Sequence, residues 1–193
     1  MKLKQITPYQ KRKITKNLMT VYAKRSSQDI QDGLTWYKSA NQICVEMSNE
    51  FGQSPSVVAQ VLSALSPRNK WERNIYDTRQ VLEAVRDKKK PEDIKVCTFN
   101  NNKQKAFDIA QGKRGIDKAS PKTYSFVKNI AELDASKVTI DVWHLRACFG
   151  KTIDAGLTPL RYKQIEKVTL KCAEMVGVRG YEFQAIIWGV IRN

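Results

Sequence analysis

Cysteine is scarce in this sequence and scattered. Its four residues, Cys44, Cys97, Cys148 and Cys172, lie far apart, and none forms a C-x-x-C pair. Zinc and iron–sulfur frameworks need clustered ligands, so no metal and no cofactor is expected. Long apolar runs are missing too: no stretch approaches the roughly 18 residues of a membrane span. The opening "MKLKQITPYQKRKITKN" lacks the apolar core of a secretory signal. No segment alternates as a strand, and there is no internal repeat, low-complexity tract or linker. These absences point to a reduced, cytoplasmic, membrane-free protein. Negative charge is also in short supply. The chain has 19 acidic residues against 34 lysines and arginines, for a net charge of +15. A surplus of that size suits a polyanionic partner, and without a membrane signal that partner is nucleic acid.

What the sequence does carry is helical periodicity, almost from end to end. Ile14, Leu18, Val21 and Tyr22 fall on one stripe, and Trp36, Ala40, Ile43, Cys44, Met47 and Phe51 on the next. Ser54-Pro55 starts a helix that buries Val57, Val58, Val61, Leu62 and Leu65. "SPRNKW" interrupts before the pattern resumes through Ile75, Leu82 and Val85, and "RDKKKPEDIK" is a charged loop. Phe99, Ala106, Phe107 and Ala110 mark the inner side of a short helix that ends before Gly112. Thr158-Pro159 opens another, with Ile165, Val168, Cys172 and Met175 inward and Gly177 as its stop. "YEFQAIIWGVIRN" is apolar enough to be buried on more than one side. Cys44 and Cys172 read as small core residues. At 193 residues, an all-α, single-domain monomer of short helices and tight turns is expected.

Two charged positions stand out. Ser120-Pro121-Lys122 is a helix start: a capping serine, proline at the first position, then a lysine where the helix dipole is positive. A positive helix end opposes an ammonium and favours the neutral, nucleophilic amine; a phosphate contact explains the placement equally well. Phe126, Val127, Ile130 and Leu133 form the buried stripe of that helix. "KVTIDVWHLRACFG" reads as an extended approach to Asp141, which caps a helix closed by Gly150. On the residues alone, plain capping is the first explanation for Asp141.

"PKTYSFVKNI" followed by "VTIDVWHLR" resembles the signature of the helix–hairpin–helix DNA glycosylase superfamily, the endonuclease III and MutY group. Lys122-Thr123 matches its Lys-Thr. Asp141 matches its aspartate nineteen positions on (141 − 122), and Arg146 its arginine. "VVAQVLSALSPRNKWERN" is similar to the apolar helix and DNA-facing loop of that family, and "FNNNKQKAFDIAQG" to the helix leading into the hairpin. The resemblance spans residues 57–150, with the hairpin element near 104–133. Residues 1–56 and 151–193 are expected to form a second lobe. The order "ALSP-x-N-x-W", "PK", "DVWH", "QAIIW" also resembles a group of bacteriophage proteins, which would place the chain in a host cytoplasm. Departures from the glycosylase pattern are local. Lys118-Ala119-Ser120 stand where the hairpin has two glycines. Val142 and Trp143 follow the aspartate in place of threonine and histidine, and the only histidine is His144. The iron–sulfur cysteines of endonuclease III are absent.

The resemblance implies cleavage of an N-glycosidic bond in double-stranded DNA after the target base is flipped out. Asp141 would stabilise the positive charge that builds on the sugar. Lys122 would attack the anomeric carbon in members that also cut the strand. Trp71, Tyr124, Trp143 and His144 are candidate walls of the base pocket. Arg68, Asn69, Lys70, Lys113, Arg114, Lys118, Ser120, Thr123 and Arg146 are candidate DNA contacts. Two other readings remain beside the repair-type glycosylase. One is an enzyme of base hypermodification on the same scaffold, and the other is a non-catalytic DNA-binding or inhibitory protein.

Overall fold

A computed structural model describes residues 5–150 and 157–192. The stretch 151–156, where the expected second-lobe segment begins, lies outside them. Among the described residues the chain is all-α: α1 Pro8–Ala23, α2 Ser27–Phe51, α3 Pro55–Leu65, α4 Trp71–Arg86, α5 Asn100–Ala110, α6 Pro121–Ala131, α7 Val142–Phe149, α8 Pro159–Met175 and α9 Gly180–Arg192. A single 3₁₀ turn, Pro91–Asp93, interrupts the charged loop after α4. The chain divides into two compact units, Met1–Ser39 with Leu133–Asn193, and Ala40–Glu132. The segment 57–150 is thus divided after Glu132, with α7 grouped with α1, α8 and α9.

In the first unit, α1, α7, α8 and α9 pack on one another. Ile14 and Leu18 of α1 meet Leu145 and Cys148 of α7, Ile165 and Cys172 of α8, and Phe183, Ile186 and Ile187 of α9 in one buried cluster. Tyr22 stacks on Phe183 at 5.3 Å between centroids. α9 is buried continuously from Gly180 to Ile187, and the two polar side chains in that run are engaged, Glu182 by the Arg179 amide at 2.9 Å and Gln184 by the Tyr37 hydroxyl at 2.8 Å. The beginning of α2 lies very close to α9. An added Cβ at Gly33 would sit 2.3 Å from the Ile186 side chain and 2.7 Å from its backbone nitrogen. Only glycine permits that approach.

In the second unit α3 is the central helix, packed on α4, α5 and α6. Its residues from Val58 to Leu65, apart from the half-buried Gln60, are buried, so seven side chains or backbones serve the core. Asn74 of α4 donates to the Leu62 carbonyl at 3.1 Å. Asn41, in the second half of α2, caps the end of α6 by donating to the Ile130 carbonyl at 2.8 Å. These polar ties satisfy buried groups that apolar packing would leave stranded.

Two expected core positions are corrected. Phe99 is 55% exposed and Met175 66% exposed. Phe99 occupies the N-cap position of α5, outside its helical turns, and Met175 is the last residue of α8. For Phe99 the stripe runs past a helix end, where the residue no longer follows the helical rotation; Met175 keeps the rotation but lies in the final turn.

Candidate functional site

Asp141 is fixed from three sides of its own unit. The approach 138–140 has no regular structure but is anchored to α8: Glu166 accepts from the Val138 amide at 3.1 Å. The Tyr162 hydroxyl donates to the Val138 carbonyl at 2.7 Å and accepts from the Ile140 amide at 3.0 Å. Asp141 follows as the N-cap of α7, its Oδ1 accepting from the His144 amide at 2.9 Å. The same Oδ1 accepts from the indole N–H of Trp188 in α9 at 3.0 Å. Trp188 is braced edge-on by Trp36, whose ring also meets Tyr37 at 4.6 Å. Tyr37 donates to Gln184 at 2.8 Å, and burial drives its phenol far above the ordinary value. A cap requires only the amide bond. The indole bond adds a second restraint on the carboxylate, of the charge-assisted kind. Gly150 closes α7 in the left-handed conformation with φ 71°, as the sequence led one to expect.

Trp143 and Arg146 share one face of α7. The Arg146 guanidinium lies 4.3 Å from the Trp143 ring centroid, a cation–π arrangement. Together they line a cleft of about 440 Å³ with Asn17, Val21 and Ile191. His144 points the other way. It is fully buried, with Nε2 2.9 Å from the Thr169 hydroxyl. That hydroxyl donates to the Ile165 carbonyl, so the imidazole is the donor in their contact, and Nδ1 is left without a hydrogen-bond partner among the described residues. Burial lowers its pKa to about 3. The ring is a neutral core group and offers no surface to a base.

The remaining candidates belong to the second unit. Lys122 is exposed in the first turn of α6, behind Pro121. Ser120 holds the N-cap position but makes no side-chain cap bond, contrary to the expectation of a capping serine. Its ψ of 71° departs from the extended value that aims a cap side chain at the helix amides. The turn before it is closed internally. Asp117 takes the amides of Ala119 at 2.9 Å and Ser120 at 3.0 Å, and Gln60 takes that of Ile116 at 2.7 Å. Amides that a glycine hairpin would offer to phosphate are therefore engaged at 119 and 120. Thr123 is half-buried beside Lys122, while Lys113, Arg114 and Lys118 are exposed. Lys105 of α5 joins them: burial, and then the Arg114 charge, hold its amine below the usual value. Sequence reading missed Lys105, which sits inside an ordinary helical pattern.

The "SPRNK" loop is held by a buried carboxylate. Asp77 accepts from the Asn69 amide at 2.9 Å, Arg73 Nε at 2.8 Å and the Cys97 backbone N–H at 2.7 Å. Asn69 is thereby tied to the protein. Arg68 takes positive φ, 58°, and its guanidinium lies 5.5 Å from the Phe99 ring. Lys70 is exposed at the N-cap of α4, and Trp71 half-buried at its first turn. Tyr124 is half-buried with Lys128 5.7 Å from its ring centroid. The candidates thus fall into three groups: the turn before α6 with Lys122, the Arg68 loop, and Asp141 with Trp143 and Arg146. Trp188 and Trp36 were absent from the sequence-based set. Among the described residues no cluster of histidine, cysteine or acidic side chains could hold a metal ion, and no helix is long and apolar enough to cross a membrane.

A family of unknown function, DUF7178, matches residues 1–193, and the chain belongs to that family. No curated protein and no solved structure matches it.

Proposed function

We propose that this chain is a DNA glycosylase-like enzyme that cleaves the N-glycosidic bond of a damaged or modified base, with Asp141 as the charge that stabilises the sugar cation. The observation that carries the reading is the pair of donors on Asp141 Oδ1, the His144 amide and the Trp188 indole. A carboxylate restrained by two donors keeps its position while charge develops, and so acts without reorganising. As the C1′–N bond breaks, the base leaves with the bonding electrons and takes up a proton, and a nucleophile fills C1′. With water the product is an abasic site. With the Lys122 amine it is a Schiff base, formed with opening of the sugar and open to strand scission by elimination. Trp143 and Arg146 supply a flat, cationic surface suited to a nucleotide. Lys122 and Asp141 belong to different units.

The internally closed hairpin turn favours a second reading, a protein that keeps the scaffold and binds DNA without cutting it. One assay separates the two. A panel of damaged and modified duplexes is scored for free base and for nicks, with wild type, Asp141→Asn and Trp188→Phe. Asp141→Asn keeps an acceptor for the cap and should abolish base release while DNA affinity is retained or improved. Trp188→Phe should lower the single-turnover rate by about tenfold or more, the effect of losing a bond that orients a charged group. Full activity in Asp141→Asn would reduce that residue to a cap. An inactive wild type across the panel would favour the binding reading.

A further inference from the structure

A second surface of the first unit carries chemistry that none of the candidate DNA contacts named above uses. Between α1 and α8 lies a groove of about 700 Å³. Lys11, Arg12 and Lys16 line it from α1, and Lys163, Lys167 and Lys171 from α8. Among the described residues no acidic side chain lines it. The sequence of α1 contains no aspartate or glutamate at all. On α8, Glu166 is buried and occupied by the Val138 amide, and Glu174 lies beyond the last groove lysine. Among the described residues, no ion pair engages any of the six cations.

The spacing is regular. Lys163, Lys167 and Lys171 recur every fourth residue, so they form one row about 12 Å long at 1.5 Å of rise per residue. Like charges four residues apart on a helix repel, and Lys163 lies close to the positive end of α8, whose first turn has no acidic residue to offset it. The fold therefore concentrates positive charge on both walls of one concavity, without an opposing charge among the described residues. The partner that relieves this is a chain bearing negative charge at regular intervals, narrow enough to lie between two rows. We propose that the α1–α8 groove seats the sugar–phosphate backbone of a DNA strand. A membrane surface is a poorer fit, because it needs protruding apolar side chains on a broad face. Here the charges line a concavity, and Leu160 is the one strongly exposed large apolar side chain among its lining residues. The inference stands apart from the glycosylase reading, since an inert binder would use the groove equally.

The test is binding of an undamaged, labelled 20-base-pair duplex, followed by fluorescence anisotropy from roughly 50 to 200 mM salt. Undamaged DNA is the probe, so failure of base release elsewhere leaves the result intact. The groove variant is Lys163→Gln/Lys167→Gln/Lys171→Gln. Its control is Lys88→Gln/Lys89→Gln/Lys90→Gln in the loop after α4, with the same change in net charge. Three lost phosphate contacts should make the salt slope shallower by about 2.7 and weaken binding by up to about 500-fold near 100 mM salt. The control should stay close to wild type. Replacing the three groove lysines with arginine should restore affinity and slope, which separates lost charge from damaged folding. Equal losses in the groove and control variants would overturn the proposal by showing that the charge acts diffusely. Preferential binding of polyglutamate, or of vesicles rich in phosphatidylserine, over the duplex would overturn it as well.

Discussion

Acidification should destabilise this protein through one side chain before its carboxylates begin to titrate. His144 is the only histidine in the chain, so no other side chain has an ordinary pKa between about 5 and 8. Its ring is fully buried, and Nε2–H is committed to Thr169. A second proton would have to sit on Nδ1, where no acceptor is found among the described residues. The folded value is accordingly depressed to about 3 from a reference of 6.5. A depressed folded value means that the unfolded chain binds the proton first. Stability is thus at its full value above pH 6.5 and falls as pH drops toward 3. The loss is on the order of 2 kcal/mol by pH 5, a sizeable share of the roughly 5–15 kcal/mol that holds a domain of ordinary stability. Urea unfolding at constant ionic strength, stepped from pH 8 to 5, should show the decline beginning near 6.5. His144→Gln should be less stable at pH 8 but nearly flat to about pH 5.5, having no imidazole to titrate. A flat wild-type profile to pH 5.5 would refute the buried neutral ring, as would the same slope in His144→Gln.

Two further outcomes follow from other parts of the molecule. Borohydride added during turnover should trap a covalent enzyme–DNA adduct if Lys122 is the nucleophile, and Lys122→Gln should lose that adduct while Lys118→Gln keeps it. Base release without any adduct on the active substrate would leave Asp141 working with water alone. Asp77→Ala should cost about 3 kcal/mol of stability in urea titrations, because a fully buried acceptor of three hydrogen bonds disappears and the Cys97 backbone N–H loses its acceptor. A loss below about 1 kcal/mol would show that the "SPRNK" loop does not depend on that carboxylate.

The parts of the fold that follow from local rules were readable in the sequence. Asp141 caps α7, Gly150 ends it, and Cys44 and Cys172 are core residues with no accessible surface. Each depends on a handful of neighbours along the chain. Trp188 was not readable as a partner of Asp141. The two are 47 residues apart, and "QAIIWGVIRN" has the pattern of any buried helix. Asn69 looked like a DNA contact because a polar residue in a loop normally faces outward; its tie to Asp77 comes from a carboxylate one helix away. Phe99 and Met175 failed at the two ends of helices, one just outside α5 and the other in the last turn of α8. The lysines of α8 could be read as a solvated face, but only the packing of α8 on α1 gives them an opposite wall. The fold class was a local property, and the environment of the candidate site was a long-range one.

Gly33 bears on where inactivating changes in this protein would be found. It has no functional group and touches no proposed substrate, yet it sets the distance at which α2 and α9 cross. Trp36 is one turn further along α2, and Trp188 two residues past Ile186 on α9. Any side chain at Gly33 must push against the Ile186 backbone, which shifts the tryptophan that restrains Asp141. In a saturation screen for the proposed activity, this glycine would score with Asp141 while the exposed Val142, adjacent to Asp141 in sequence, tolerated change. A map of sensitivity drawn along the chain would therefore be misleading. The same map drawn along the α2–α9 crossing would trace a continuous line from a hydrogen atom on a glycine to a carboxylate.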